Sequence, residues 1–287
     1  MKKSVLIVTA FALALPLGAQ SFVGPRNLPG SNGESYSFSF TWNDVKNALE
    51  GKQKGPEEIS IPAPTRENDV ELSESKQELD ASAIEEMTRL AQSGNAEFQY
   101  NLGRCYDRGL KVKQDYKQAL YWYEKAAAQG HDKAANNLGC LYLDGKGTAQ
   151  DFDKALYWFE LSAQKNDSYA VVNIGCMYED GQLGDAPNYG KAFEYYQKAD
   201  KMGCAPAAYE LGHCFQDGVG TKANAKKAFS YYKKSADAGF ALAAYETGRL
   251  YLEGNGVKKD AALAKKYLEF AAKKGEAKAA ELLETLQ

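Results

Sequence analysis

The chain has 287 residues, 44% of them apolar and 25% charged, and a formal net charge of -3. A mean hydropathy of -0.52 excludes an integral membrane body, and a pI of about 5.7 lacks the basic excess that a general nucleic-acid binder presents. Two counts are unusual, 19 tyrosines and 26 glycines, and the order of the residues along the chain has to explain both.

Residues 1–19 open with Lys2-Lys3, run apolar from Val5 to Leu17 and end in Leu17-Gly18-Ala19. A basic end, a short apolar stretch and small residues before a cut form the pattern of a secretory signal peptide, too short for a comfortable bilayer span. The expectation is an exported chain, periplasmic or secreted, with no membrane insertion once the signal is removed. Cys is absent near the cleavage point, which argues against a lipid anchor.

Residues 20–80 hold 6 basic and 11 acidic residues, whereas the chain from Ala81 onward balances 27 against 27. The stretch is rich in Pro, Gly, Ser and Glu without helical periodicity, as in an acidic, largely disordered tether. Within it Tyr36, Phe38, Phe40 and Trp42 alternate with Ser and Thr, placing four aromatics on one face of a strand over 36–42. That strand would either add to a sheet edge of another protein or pack on the first helices. A short helix, capped by Asn43 or Asp44 and reaching about Leu49, is expected after it.

Beyond residue 80 the sequence repeats. Gly103, Gly139, Gly175, Gly212 and Gly248 lie 36, 36, 37 and 36 residues apart, and a second ladder of Gly94, Gly130, Asn166, Gly203, Gly239 and Gly275 keeps the same step. A fixed period of this size is the mark of a solenoid array. Each unit reads as two helices. The first carries a stripe such as Ala134, Leu138 and Tyr142 and ends at Gly109, Gly145, Gly181, Gly218 or Gly254, where a left-handed C-cap belongs. The second starts at Asp115, Asp151, Asn188, Asn224 or Asp260, whose short acceptor side chains suit an N-cap. Its Ala119, Trp122, Tyr123 and Ala126, and their counterparts, pair small residues for close approach with aromatics that fill the space between hairpins. The residues near Asp185 and Pro187 hold the one-residue insertion behind the single 37.

The unit legible in Ala134, Leu138, Gly139, Tyr142, Gly145, Gly147, Asp151, Lys154, Ala155 and Trp158 resembles the Sel1-like repeat, a relative of the tetratricopeptide repeat. The resemblance covers about Ala81 to Gln287. It implies an all-α fold, a right-handed α/α superhelix of five repeats at about 96–131, 132–167, 168–204, 205–240 and 241–276. Residues 83–93 and 277–287 are then lone capping helices.

With second helices outside, the first helices would line a concave face. Taking the Gly of the Leu-Gly pair as origin and about 100° per residue, positions -5, -1 and +3 pack inward while -3 and +1 lie opposite, with -2 flanking. In related tetratricopeptide arrays this register carries peptide-binding residues, which the resemblance implies here. Position -3 supplies Tyr100, Asn136, Tyr209 and Tyr245, besides Val172. Position +1 supplies Arg104, His213 and Arg249, besides Cys140 and Cys176. Position -2 supplies Asn101, Asn137, Asn173, Glu210 and Glu246. Tyr, Arg and Asn offer planar contact, bidentate carboxylate capture and backbone pairing to an extended peptide.

Catalytic and metal chemistry find little to stand on. Five Cys leave at least one unpaired. Cys204 and Cys214 are about 15 Å apart along a helix, and Cys140 and Cys176 sit one helix spacing apart, about 8–10 Å, beyond the reach of about 7 Å that a disulfide allows. Some bacterial Sel1-like proteins staple each repeat with a Cys pair, but here the second helices hold no Cys. Cys140, Cys176 and His213 would span about 16–20 Å, too far for one metal ion. Cysteine-rich secreted relatives have been associated with penicillin binding and β-lactam hydrolysis, which supplies the alternative of an enzyme. Ser-x-x-Lys occurs at Ser73, Ser162 and Ser230, without the accompanying Ser-Asp-Asn or Lys-Thr-Gly. The expected function is a non-catalytic, cofactor-free scaffold for a peptide or protein segment, with protein partners and no nucleic acid.

Overall fold

The computed structural model describes residues 83–286; the signal peptide expected at 1–19, the tether at 20–80 and its strand at 36–42 lie outside the described residues. The described residues form helices and no strand. Helix α1 covers 83–92. Five hairpins follow: α2 (Ala96–Arg108) with α3 (Tyr116–Ala127), α4 (Asp132–Asp144) with α5 (Phe152–Gln164), α6 (Ser168–Glu179) with α7 (Tyr189–Lys201), α8 (Ala205–Asp217) with α9 (Ala225–Asp237), and α10 (Ala241–Glu253) with α11 (Ala261–Lys273). Helix α12 (Ala277–Glu284) closes the array. From α2 onward each helix packs on its predecessor and its successor, so the chain is an α-solenoid of helical repeats.

The helix boundaries follow from local chemistry. Asp115, Asp151, Asn188, Asn224 and Asp260 each accept a first-turn backbone N–H of α3, α5, α7, α9 and α11, satisfying a donor that has no partner inside the helix. First helices end on left-handed Gly109, Gly145, Gly218 and Gly254, with φ between 66° and 73°. The third unit departs from this. Helix α6 stops at Glu179, Asp180 is its C-cap, and left-handed Gly181 leads into the loop that carries the extra residue. Asn166 holds φ 66° where its counterparts Gly130 and Gly203 hold 83°, the one side chain in that ladder that accepts the left-handed region locally.

Within each hairpin one contact sets the approach of the helices. A Cβ built on Gly103 would come within 2.6 Å of the Tyr123 ring, and one on Gly212 within 2.6 Å of the Tyr232 ring. The same construction on Gly139, Gly175 and Gly248 meets Phe159, Tyr196 and Leu268 at 2.7 Å. The large side chain of the second helix therefore rests on the bare backbone of the first. Tyr123, Phe159, Tyr196 and Tyr232 are all 0% exposed, and burial of such a side chain contributes about 1.5–3 kcal/mol. Alanines on the same helices, Ala119, Ala155, Ala192, Ala228 and Ala264, are buried beside them.

Between hairpins, the second glycine of the Gly-x-Gly turn plays the matching part. A Cβ on Gly147 would lie 2.6 Å from the carbonyl carbon of Tyr116, and one on Gly256 2.5 Å from that of Ala225, each the first residue of the preceding unit's second helix. Gly220 meets Tyr189 in the same way. At the corresponding place in the first unit Lys111 takes φ 59°. The ends are covered by apolar contacts: α1 buries Met87, Leu90 and Ala91 against Phe98, Leu102 and Trp122, and α12 buries Ala279.

Gly139→Ala and Gly212→Ala are each expected to lower stability by about 1–3 kcal/mol, the usual effect of overpacking a filled contact. Denaturant melts check this, and unchanged midpoints would show that the ring can move aside without loss. Asn166→Gly should leave stability level or slightly raised, because it relieves a left-handed side chain.

Candidate functional site on the inner helix row

The first helices α2, α4, α6, α8 and α10 form one row, and the residues expected to face a groove are less open than helical geometry alone implies. Tyr100, Asn136, Asn173 and Glu210 are buried, at 3%, 0%, 2% and 2% exposure. Asn101, Arg104, Asn137, Tyr209, His213, Tyr245 and Arg249 are half-buried. The expectation that all eleven side chains are presented to a ligand is therefore corrected for four of them. The cause is coverage by side chains of the same hairpin and of the neighbouring unit, which turns part of the -3 and -2 positions into internal contact. Asn173 Nδ2 donates to Asn136 Oδ1 at 2.9 Å across α6 and α4, and Tyr100 stacks on His131 at 4.4 Å.

His131 joins the first two units. It caps α4 by accepting the Ala134 N–H at Nδ1, 3.2 Å away, which leaves the proton on Nε2 to donate to Glu97 at 3.2 Å. That hydrogen bond holds the Glu97 carboxyl below the usual carboxylate range. Arg104 lies over the Tyr100 ring at 5.6 Å, and Asn101 donates to Glu97 at 3.4 Å.

The tyrosines that rest on the glycines do more than fill space. Their hydroxyls emerge on the inner row. Tyr123 donates to Asp107 at 3.2 Å and accepts from Asn137 Nδ2 at 3.1 Å. Tyr196 donates to Glu179 at 2.6 Å and contacts the Cys176 sulfur at 3.5 Å. Asp107 and Glu179 occupy position +4 of their helices. Where the side chain seated on the glycine is Phe159 or Leu268, neither of which has a hydroxyl, position +4 is Leu143 or Leu252. These residues were missed in the sequence reading, although the match between a ring hydroxyl and an acid at +4 is visible by comparing the units. Burial pushes the Asp107 carboxyl up, against the opposing pull of the Tyr123 hydrogen bond.

The fourth unit breaks the match. Tyr232 is 0% exposed and its hydroxyl has no hydrogen-bond partner, while +4 is Gln216. Gln216 Oε1 accepts instead from Arg249 Nη2 at 3.1 Å. Arg249 also binds Glu246 Oε2 at 2.9 Å through Nε and 2.7 Å through Nη2, and both Glu253 oxygens at 2.7 and 2.9 Å. The guanidinium expected to capture a ligand carboxylate is thus already engaged by two carboxylates of its own helix. Around it, Tyr209 makes edge contacts with His213 at 4.6 Å and with Phe240 at 5.3 Å.

The cysteines are all free thiols: Cys176, Cys204 and Cys214 are buried, Cys105 and Cys140 half-buried. Burial pushes the Cys140 and Cys176 thiols up, away from the reactive thiolate. Among the described residues no group of three His, Cys, Asp or Glu is placed to hold a metal ion. Ser162 is 0% exposed and its hydroxyl is taken up by the Asp132 carbonyl and Asp167 Oδ2, both at 2.9 Å. Ser230 is exposed on a second helix, and Ser73 lies outside the described residues. No described helix is long and apolar enough to cross a membrane.

A two-helix repeat, a large side chain seated on a glycine in each hairpin and a row of inner helices define the class, an α-solenoid of helical repeats. The Sel1 repeat matches five times, at residues 96–131, 132–167, 168–204, 205–240 and 241–276, and the chain belongs to that family. Among solved structures it is similar to a Sel1 repeat protein from Oxalobacter formigenes, with 29% identity and a TM-score of 0.61 over 71% of this chain and 89% of that one. It is also similar to c5321, a protective antigen of uropathogenic Escherichia coli strains, with 26% identity and a TM-score of 0.58 over 83% of this chain. The match spans 49% of the c5321 chain. Immunity protein Pa5087 of Pseudomonas aeruginosa, at 20% identity and a TM-score of 0.51 over 71% of this chain and 82% of that one, shares the fold. A search of the curated proteins finds no match. Sel1 repeat folds are commonly protein–protein interaction scaffolds and generally non-enzymatic.

Tyr123→Phe and Tyr196→Phe should each destabilise the fold by about 1.5–3 kcal/mol, because a half-buried carboxylate loses a hydrogen-bond donor. Tyr232→Phe should cost nothing or stabilise slightly. Equal losses in all three, read from urea melts, would refute the assignment of hydrogen-bond roles.

Proposed function

We propose that the chain is an exported scaffold that binds a peptide or protein segment along its inner helix row, without catalysis. The observation that carries this reading is the strip of half-buried Tyr209, His213, Tyr245 and Arg249 on α8 and α10, with Asn101, Arg104 and Asn137 continuing it on α2 and α4. Half-buried aromatics suit this role. They are held rigid by their neighbours, so little side-chain freedom is lost on binding, and they still offer a planar face. The buried Tyr100, Asn136, Asn173 and Glu210 support the strip from beneath. Export rests on the signal pattern of residues 1–19 and would place the scaffold in the periplasm or outside the cell.

Replacing Tyr209 and Tyr245 together by Ala is expected to weaken capture of native envelope partners by about 30-fold, the loss of roughly 2 kcal/mol typical of a binding hot spot. Affinity capture with the full chain, followed by titration of the captured partner, measures it. Undiminished capture by a folded double variant would remove the inner row from the binding site.

A further inference from the structure

We infer that the segment bound by the inner row is basic, and that an arginine or lysine of the partner takes the place Arg249 now holds on Glu246 and Glu253. This rests on the binding-scaffold reading above and adds the chemistry of the ligand.

The first observation is charge. On the inner row of the last two units, Glu210, Asp217, Glu246 and Glu253 face a single arginine, Arg249. The outer helices of the same units carry the opposite sign: α9 has Lys226, Lys227, Lys233 and Lys234 against Asp237, and α11 has Lys265, Lys266 and Lys273 against Glu269. The balanced charge of the repeat region therefore conceals a separation across the solenoid. An acidic segment would meet Asp217, Glu246 and Glu253 on this strip, with the buried Glu210 beneath them, and find its one guanidinium engaged.

The second observation is the buried Tyr232 hydroxyl. In the first and third units the equivalent hydroxyl has an acid at +4, whereas here Gln216 stands at +4 and its oxygen is held by Arg249. Tyr232 lies among the inner-row groups, with its ring 5.3 Å from that of His213 and 5.7 Å from that of Tyr209. Burial first, then the charges of Glu246, Asp217 and Glu210 and the neighbouring Tyr209, push its phenol up. Arg249 thus satisfies itself at the expense of a buried donor, through pairs three and four residues away on its own helix, a spacing that is weak when partly solvated. A partner cation that takes Glu246 and Glu253 lets Arg249 release Gln216, whose oxygen then becomes available to Tyr232. Tyr245 lies within electrostatic reach of Glu246, Arg249 and Glu253 and adds an aromatic ring for a cation.

The test uses the full chain and two capped octapeptides, one alternating arginine with glycine and the other glutamate with glycine, titrated by calorimetry at low and high salt. The arginine peptide should bind about tenfold or more tightly than the glutamate peptide and weaken with salt. Glu246→Gln with Glu253→Gln should weaken it about tenfold, and Arg249→Ala should strengthen it about threefold by removing the internal competitor. Tyr232→Phe should weaken it about threefold with unchanged thermal stability. Melts confirm that each variant is folded. Preference for the glutamate peptide, loss of binding in Arg249→Ala, or no effect of the two glutamine substitutions overturns the inference and leaves the scaffold reading intact. If neither peptide binds, the inference falls. The scaffold reading falls with it only if capture is also indifferent to the Tyr209 and Tyr245 substitutions.

Discussion

A ring seated on a glycine is the contact on which the rest of this solenoid depends. In four of the five hairpins an aromatic side chain from the second helix fills the place that a Cβ of the first helix would take, and in the fifth Leu268 does so. This lets two helices come together at a fixed depth and angle, so every unit repeats the same geometry. Because helix pairs bury their apolar faces only by stacking on their neighbours, the accuracy of one hairpin is inherited by the whole array. The Gly147, Gly220 and Gly256 contacts carry it across the junctions by setting the backbone of one unit against the helix start of the one before. The first junction adds to its Gly147 contact His131, stacked on Tyr100 and bonded to Glu97, as a second bridge between the units.

The same ring positions couple packing to surface chemistry. A tyrosine deep enough to rest on the glycine is long enough to bring its hydroxyl to the inner row, where a polar group must meet it. Units one and three supply Asp107 and Glu179; units two and five remove both the hydroxyl and the acid. Unit four retains the hydroxyl and passes its acceptor to Arg249. The buried hydroxyl of Tyr232 is thus the one among these three tyrosines that has no hydrogen-bond partner. It falls on the same two units that carry the half-buried aromatic strip and an excess of carboxylates over arginine on the first helices.

Much of the architecture was legible in the order of residues. Both glycine ladders, the five N-caps from Asp115 to Asp260 and the left-handed Asn166 follow from local rules about which side chains suit helix ends. The early stop of α6 was not legible, because its last residue depends on how the inserted loop near Pro187 closes. Of the inner-row residues, Tyr209, His213, Tyr245 and Arg249 hold partly open positions, while Tyr100, Asn136, Asn173 and Glu210 are covered. A helical wheel gives the direction of a side chain but not what the neighbouring elements lay over it, such as His131 on Tyr100 and Asn136 on Asn173.

The sequence by itself determined the repeat, the helix ends, the small-against-large pairing and the family, because each depends on residues close together in one unit or on their recurrence at a fixed step. Only the tertiary structure decided which inner-row groups are free to act. Arg249 reads as a carboxylate clamp in isolation and proves to be held by Glu246, Glu253 and Gln216. Tyr232 reads as core and proves to carry a buried hydroxyl with no hydrogen-bond partner. The opening balance of charge likewise resolved into an acidic strip within and lysines without. Charges and hydrogen-bond donors act through space, and which of them meet is settled by helix packing that joins residues distant in the chain, as Gln216 meets Arg249 and Asn136 meets Asn173.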